Sequence, residues 1–191
     1  AYRNNTLRTY AALRSPRRLL VGPWSHLAPG TAVPGPQLDL VPEMIGWFDR
    51  WLRGREESEP VPPIRIYTRR PTHPEPDLAA YRGGWRAEST WPSTNSSELV
   101  LTRDLSQAVD ERTPDVLAVR GDVGTTAWIS CAGHLPWGQP TDQRPDEGLS
   151  LVYDWPAPSE DLEILGSPRL EVTVTSDAPV TSLAAKLCSV F

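Results

Sequence analysis

The spacing of apolar residues changes near residue 60. Before it, Tyr2, Leu7, Tyr10, Ala11 and Leu13 include spacings of three and four, which predict a helix. Asn4 or Asn5 is the expected cap, with Thr6 competing, and the helix ends by about Arg14 because Ser15 precedes a proline. Leu19-Leu20-Val21 then reads as a short buried strand, ended by Gly22-Pro23. Residues 28–36 are rich in proline, glycine and small side chains and predict a loop. In Val41–Arg53, Met44, Trp47, Phe48, Trp51 and Leu52 share one helical face, while Asp49, Arg50 and Arg53 lie elsewhere, and Gly54 is a suitable stop. Helix, strand, loop and helix in this order suit the tail of an α/β domain.

Residues 55–63 (REESEPVPP) are charged and proline-rich, which suits a linker. Beyond them the period is two. Ile64–Tyr67 alternates, and short apolar runs follow at Glu98–Thr102, Asp115–Val119, Ala127–Ser130, Leu149–Tyr153 and Asp161–Ile164. Leu170–Thr175 alternates cleanly, and a last strand is expected from Leu183. Many short strands without an intervening helix predict a β-sandwich of the jelly-roll kind.

Composition adjusts this picture at two points. The chain has 191 residues, with 21 prolines, which work against a helical bundle, and 8 tryptophans against 2 phenylalanines, so tryptophan carries much of the large aromatic burial. A net charge of −5, with no basic run beyond Arg17-Arg18 and Arg69-Arg70, argues against a nucleic-acid partner. No apolar stretch approaches the roughly 20 residues a membrane helix needs. Cys131 and Cys188 are isolated and form neither a disulfide framework nor a zinc set. The first residues already look helical and the last already look like a strand, so the chain reads as a fragment, and the compartment is left open with the cytoplasm slightly favoured.

The candidate chemistry sits just past the first strand, where open α/β sheets collect catalytic groups. His26 is there, placed to serve as a general base. Ser25 is a poor nucleophile for it, because neighbouring side chains on an extended loop point apart. No G-x-S-x-G pattern occurs anywhere in the chain. Trp24 either walls a substrate site or packs under the loop. Asp49 reads as a helix-surface residue, and Asp39 follows the histidine in the wrong order for a hydrolase acid. His73 and His134 lack carboxylates or cysteines at ligand spacing, so no metal and no cofactor is expected. Asp142-Gln143-Arg144 reads as a structural ion pair.

LLVGPWSH (19–26) followed by WFDRWLRG (47–54) resembles the X-prolyl dipeptidyl-peptidase and cocaine-esterase family of serine hydrolases. PPIRIY, GGWRAESTWP, DQRP, LVYDWP and DLEILGSPRLEVTVTSDAP follow in that family's order, so the resemblance covers nearly the whole chain. It implies the C-terminal end of an α/β-hydrolase domain in residues 1–58. An incomplete, galactose-binding-like jelly roll would then occupy residues 59–191. It makes His26 the triad histidine. The resemblance also puts the serine, the aspartate and the oxyanion-hole tyrosine upstream of Ala1, so the chain alone is expected to be inactive. The implied substrate is a small ester or short peptide, with no membrane partner and a homo-oligomer left open. The competing reading is a jelly-roll module that binds carbohydrate or another ligand without catalysis; residues 1–54 do not suit it.

Overall fold

Ile64-Arg65-Ile66-Tyr67 carries the period-two signal into a strand because both isoleucines find cover on one side. The computed structural model describes residues 3–24, 28–56, 59–73, 75, 78–102, 114–118, 121–123 and 144–188. Its elements are helix α1 (Arg3–Ala12), strand β1 (Leu19–Val21), helix α2 (Val41–Arg53), strands β2 (Ile64–Arg69) and β3 (Gly83–Glu88), and the single turn α3 (Arg144–Glu147).

The sheet is mixed, in the order β1-β2-β3. β1 pairs parallel with β2, Leu19 opposite Ile64 and Val21 opposite Ile66. β3 pairs antiparallel with β2, from Ile64 opposite Glu88 to Arg69 opposite Gly83. One sheet therefore contains strands from both sides of the expected boundary after residue 58. Ile64 is fully buried and clusters with Ile66, Leu19 and two residues of α1, Leu7 and Tyr10. Val21, Trp91 and Leu165 pack against this cluster.

α1 starts at Arg3 and neither asparagine caps it; Asn5 Oδ1 instead accepts a bond from Arg8 at 2.6 Å. Only Leu7 and Tyr10 of α1 are buried, one face three residues apart. α2 has the expected bounds. Pro42 sits in its first turn with Glu43, Arg50 and Arg53 lie in its last, and charge therefore complements the dipole at both ends. Asp39 Oδ1 accepts the Val41 N–H at 2.9 Å. At the other end Gly54 takes a left-handed φ of 66°, and the Arg55 N–H returns to the Asp49 carbonyl at 3.1 Å. The apolar face of α2 is uncovered: Met44, Ile45, Phe48 and Leu52 are all exposed. An ion pair from Glu43 to Arg65 of β2 and the Arg18 guanidinium 5.5 Å from the Trp47 ring connect the helix to the rest.

The later alternating segments differ from expectation. Glu98–Thr102, the described part of Asp115–Val119, Leu149–Tyr153, Asp161–Ile164, Leu170–Thr175 and the described residues from Leu183 form no ladder. Ala127–Ser130 lies outside the described residues. The described residues thus form a three-stranded mixed sheet rather than two facing sheets. The physical reason is cover: alternation yields a paired strand only where a second layer takes up the apolar side, and Leu99, Val116, Val152, Val172 and Val174 stay exposed. Side chains nevertheless tie these segments together, Tyr153 Oη to Asp115 at 2.6 Å and Trp155 Nε1 to the Thr102 carbonyl at 2.9 Å. β3 was not signalled by period two, because Gly-Gly-Trp-Arg-Ala-Glu has no apolar alternation. Among the described residues no helix is long and apolar enough to cross a membrane.

β3 ends on a buried carboxylate. Glu88 accepts from Ser93 Oγ at 2.7 Å, from Asn95 and from Arg86, and Arg86 also binds Glu163. The Ser93 hydroxyl, ahead of the Arg86 guanidinium, holds the Glu88 carboxyl below its ordinary 4.5 against the opposing effect of desolvation. The hydrogen bonds that Arg86 donates to Glu163 and then to Glu88 push its guanidinium further up.

Two outcomes are expected. Ile64→Ala should destabilise the chain by about 3 kcal/mol in urea unfolding, the cost of emptying a fully covered site. The Glu88 carboxylate, its folded value lying below the unfolded one, contributes stability above pH 4.5 that is lost as pH falls through the folded value. The stability deficit of Glu88→Gln should therefore be full near neutrality and narrow in acid, read from unfolding midpoints across pH.

Candidate active site

The loop that carries the candidate base is built from the end of β1. Val21 lies beside Ile66, and the next residue is Gly22. A side chain there is impossible without rearrangement, because a Cβ would lie 2.4 Å from the Trp24 ring. Trp24 folds back over this glycine and donates its indole N–H to the Pro36 carbonyl at 2.6 Å. Its ring meets Trp85 of β3, centroids 6.0 Å apart, and Trp85 meets Tyr67 of β2 edge-on at 5.3 Å. The Tyr67 hydroxyl donates to the Tyr81 carbonyl at 3.0 Å.

The far side of the loop is fixed as well. Thr31 N–H bonds Ala28 O at 2.9 Å, and Leu38 N–H bonds Pro29 O at 3.0 Å. Ala32 is fully buried. Gly35 bridges residues 79–81, its N–H to Ala79 O at 2.8 Å and the Tyr81 N–H to its own carbonyl at 3.0 Å.

His26, with Ser25 and Leu27, lies outside the described residues, as do His134, Cys131, Asp142 and Gln143. Trp24 is half-buried, with its one polar atom engaged by Pro36. Asp49 sits on the outside of α2, paired with Arg53 at 2.9 Å and Arg55 at 3.1 Å, the surface role expected of it. Asp39 is spent on the start of α2. Cys188 is exposed and in no disulfide. Among the described residues no group of three His, Cys, Asp or Glu converges to hold a metal ion. An open cleft of about 540 Å³ lies between α1, the turn Pro16–Arg18 and Trp47. Among the described residues of the loop 22–36, none lines this cleft. Sequence reasoning missed Trp85, Tyr67 and Pro36: two are strand aromatics and the third acts through its backbone, so none bears a chemical motif.

Residues 57–190 match the X-Pro dipeptidyl-peptidase C-terminal non-catalytic domain, and the chain belongs to that family. It is also similar to a particular enzyme, the cocaine esterase of Rhodococcus sp. (strain MB1 Bresler), at 30% identity over 210 aligned positions. That alignment takes in 97% of this chain but 36% of the esterase. No solved structure gives a significant match.

Gly22→Ala should drive the Trp24 ring off its seat, lowering stability by about 1–3 kcal/mol and shifting tryptophan fluorescence, both measured in one urea titration.

Proposed function

We propose that this chain is the C-terminal part of a serine hydrolase that cleaves ester or amide bonds, with His26 as its general base. The observation that supports the reading is the GPWSH segment directly after β1, within a chain similar over 97% of its length to an esterase. The family model for residues 57–190 describes a non-catalytic domain, so this chain's share of the chemistry belongs to residues before 57.

In this reading residues 1–58 are the end of an α/β-hydrolase domain and residues 59–191 a jelly roll. A serine elsewhere in the full-length protein attacks the substrate carbonyl. The His26 imidazole accepts the serine proton during attack and returns it to the leaving alcohol or amine. An aspartate, also elsewhere, holds the imidazole in the competent tautomer. The chain by itself supplies one member of three and forms no acyl-enzyme. The substrate is a small ester or an X-Pro peptide.

The test is p-nitrophenyl ester hydrolysis by the full-length protein. His26→Ala should lower kcat by about 10⁴-fold or more. Unchanged turnover in that variant, or a full-length sequence without an upstream serine elbow, would remove the hydrolase reading and leave a ligand-binding β domain.

A further inference from the structure

β1 stands at the end of the strand order, so one of its edges meets no described strand. The Leu19 N–H is engaged on the β2 side, by the Pro63 carbonyl at 2.9 Å. Backbone groups alternate in direction along a strand, so Leu20 turns its N–H and carbonyl to the open edge. Among the described residues no backbone group meets them there. The cleft of about 540 Å³ lies at the start of this edge, lined by Leu19 together with Arg17, Arg18, residues of α1 and Trp47 of α2. Trp47 shares its helical face with Met44 and Phe48, at spacings of three and four. That face therefore continues from the cleft onto side chains that are more than half exposed, Met44, Ile45, Phe48 and Leu52. A contiguous apolar patch beside unpaired strand groups is a surface built to be covered.

We infer that the open edge of β1 and the apolar face of α2 form one docking surface, and that its occupant is a strand of the full-length protein lying just before α1. The unpaired Leu20 groups call for a strand and not a loop. α1 packs Leu7 and Tyr10 on the sheet and leads directly into β1, the placement of a crossover helix between two parallel strands. β2 already holds one edge of β1, so the strand before the helix takes the other. A sheet continued in that direction passes under the face to which Trp47 belongs. A second copy fits less well, because two identical edges related by a two-fold axis pair antiparallel, and this three-residue strand offers outward groups at Leu20 alone. The esterase has room for such a strand, since the alignment takes in 36% of its length. The docking surface rests on reading the chain as the C-terminal part of a longer protein, and not on the role of His26.

The experiment uses the full-length protein. Exchange of the Leu20 amide and peroxide oxidation of Met44, the single methionine of these 191 residues, are measured without any substitution. The Leu20 amide should exchange on the order of 10³-fold or more slowly than an open amide. Met44 should oxidise at least about tenfold more slowly than in urea-unfolded protein. Either group reacting at its unfolded rate would overturn the proposal. The occupant is then identified with p-benzoylphenylalanine in place of Phe48, by irradiation and sequencing of the cross-linked peptide. The cross-link should join Phe48's position to a segment preceding α1 on the same molecule. A cross-linked dimer, or a cross-link to another part of residues 1–191, would assign the surface to a second copy or to this chain itself, and the proposal would fall. If His26→Ala stays active, the hydrolase reading is lost alone; slow Leu20 exchange and slow Met44 oxidation still support the docking surface.

Discussion

Burial on one side of β2 and aromatic contact on the other hold the described structure together. Successive strand residues face opposite ways. Ile64 and Ile66 turn to one side, where Leu7, Tyr10 and Leu19 cover them. Arg65 and Tyr67 turn to the other, where Arg65 pairs with Glu43 of α2 and Tyr67 meets Trp85. Four consecutive residues thus set Leu7 and Tyr10 of α1 on one side of the strand and Glu43 of α2 and Trp85 on the other. A shift of one position in the pairing of β2 would exchange these sides, leaving Ile64 in water and Arg65 among the apolar side chains.

How much of the structure the sequence discloses depends on which signals are local. Helix α2 was legible to the residue, because its apolar face, its dipole-matched charges and Gly54 are all encoded within Val41–Gly54. β1 and β2 were legible from short apolar or alternating runs. β3 was not, since its stability comes from pairing with β2 and its composition is that of an edge strand, Gly-Gly-Trp-Arg-Ala-Glu. The converse error is at Leu170–Thr175, where clean alternation meets no covering layer and yields no ladder among the described residues. For the site, the GPWSH motif pointed to His26 through its position after a strand. The aromatic seat of the loop was not readable, because Trp24, Tyr67 and Trp85 are distant in sequence and meet only once β2 and β3 pair.

The second half of the chain is joined to the sheet by charge as much as by apolar contact. Arg86 lies between Glu88 and Glu163, so one guanidinium from β3 serves a buried carboxylate of its own strand and a half-exposed one 77 residues on. Two residues later Leu165 reaches the core cluster. Cooperation of this kind is sensitive to loss of any one member, because Glu88 is buried and a buried charge left without its partner is costly.

The charged, proline-rich run at residues 55–63 has the composition of a tether. Its two ends are nonetheless held, Arg55 by the carbonyl that closes α2 and Pro63 by the Leu19 N–H at 2.9 Å. β1 and β2 are laced together on either side of it. Swivelling β1 and its neighbours against β2 and β3 would require unzipping that backbone seam.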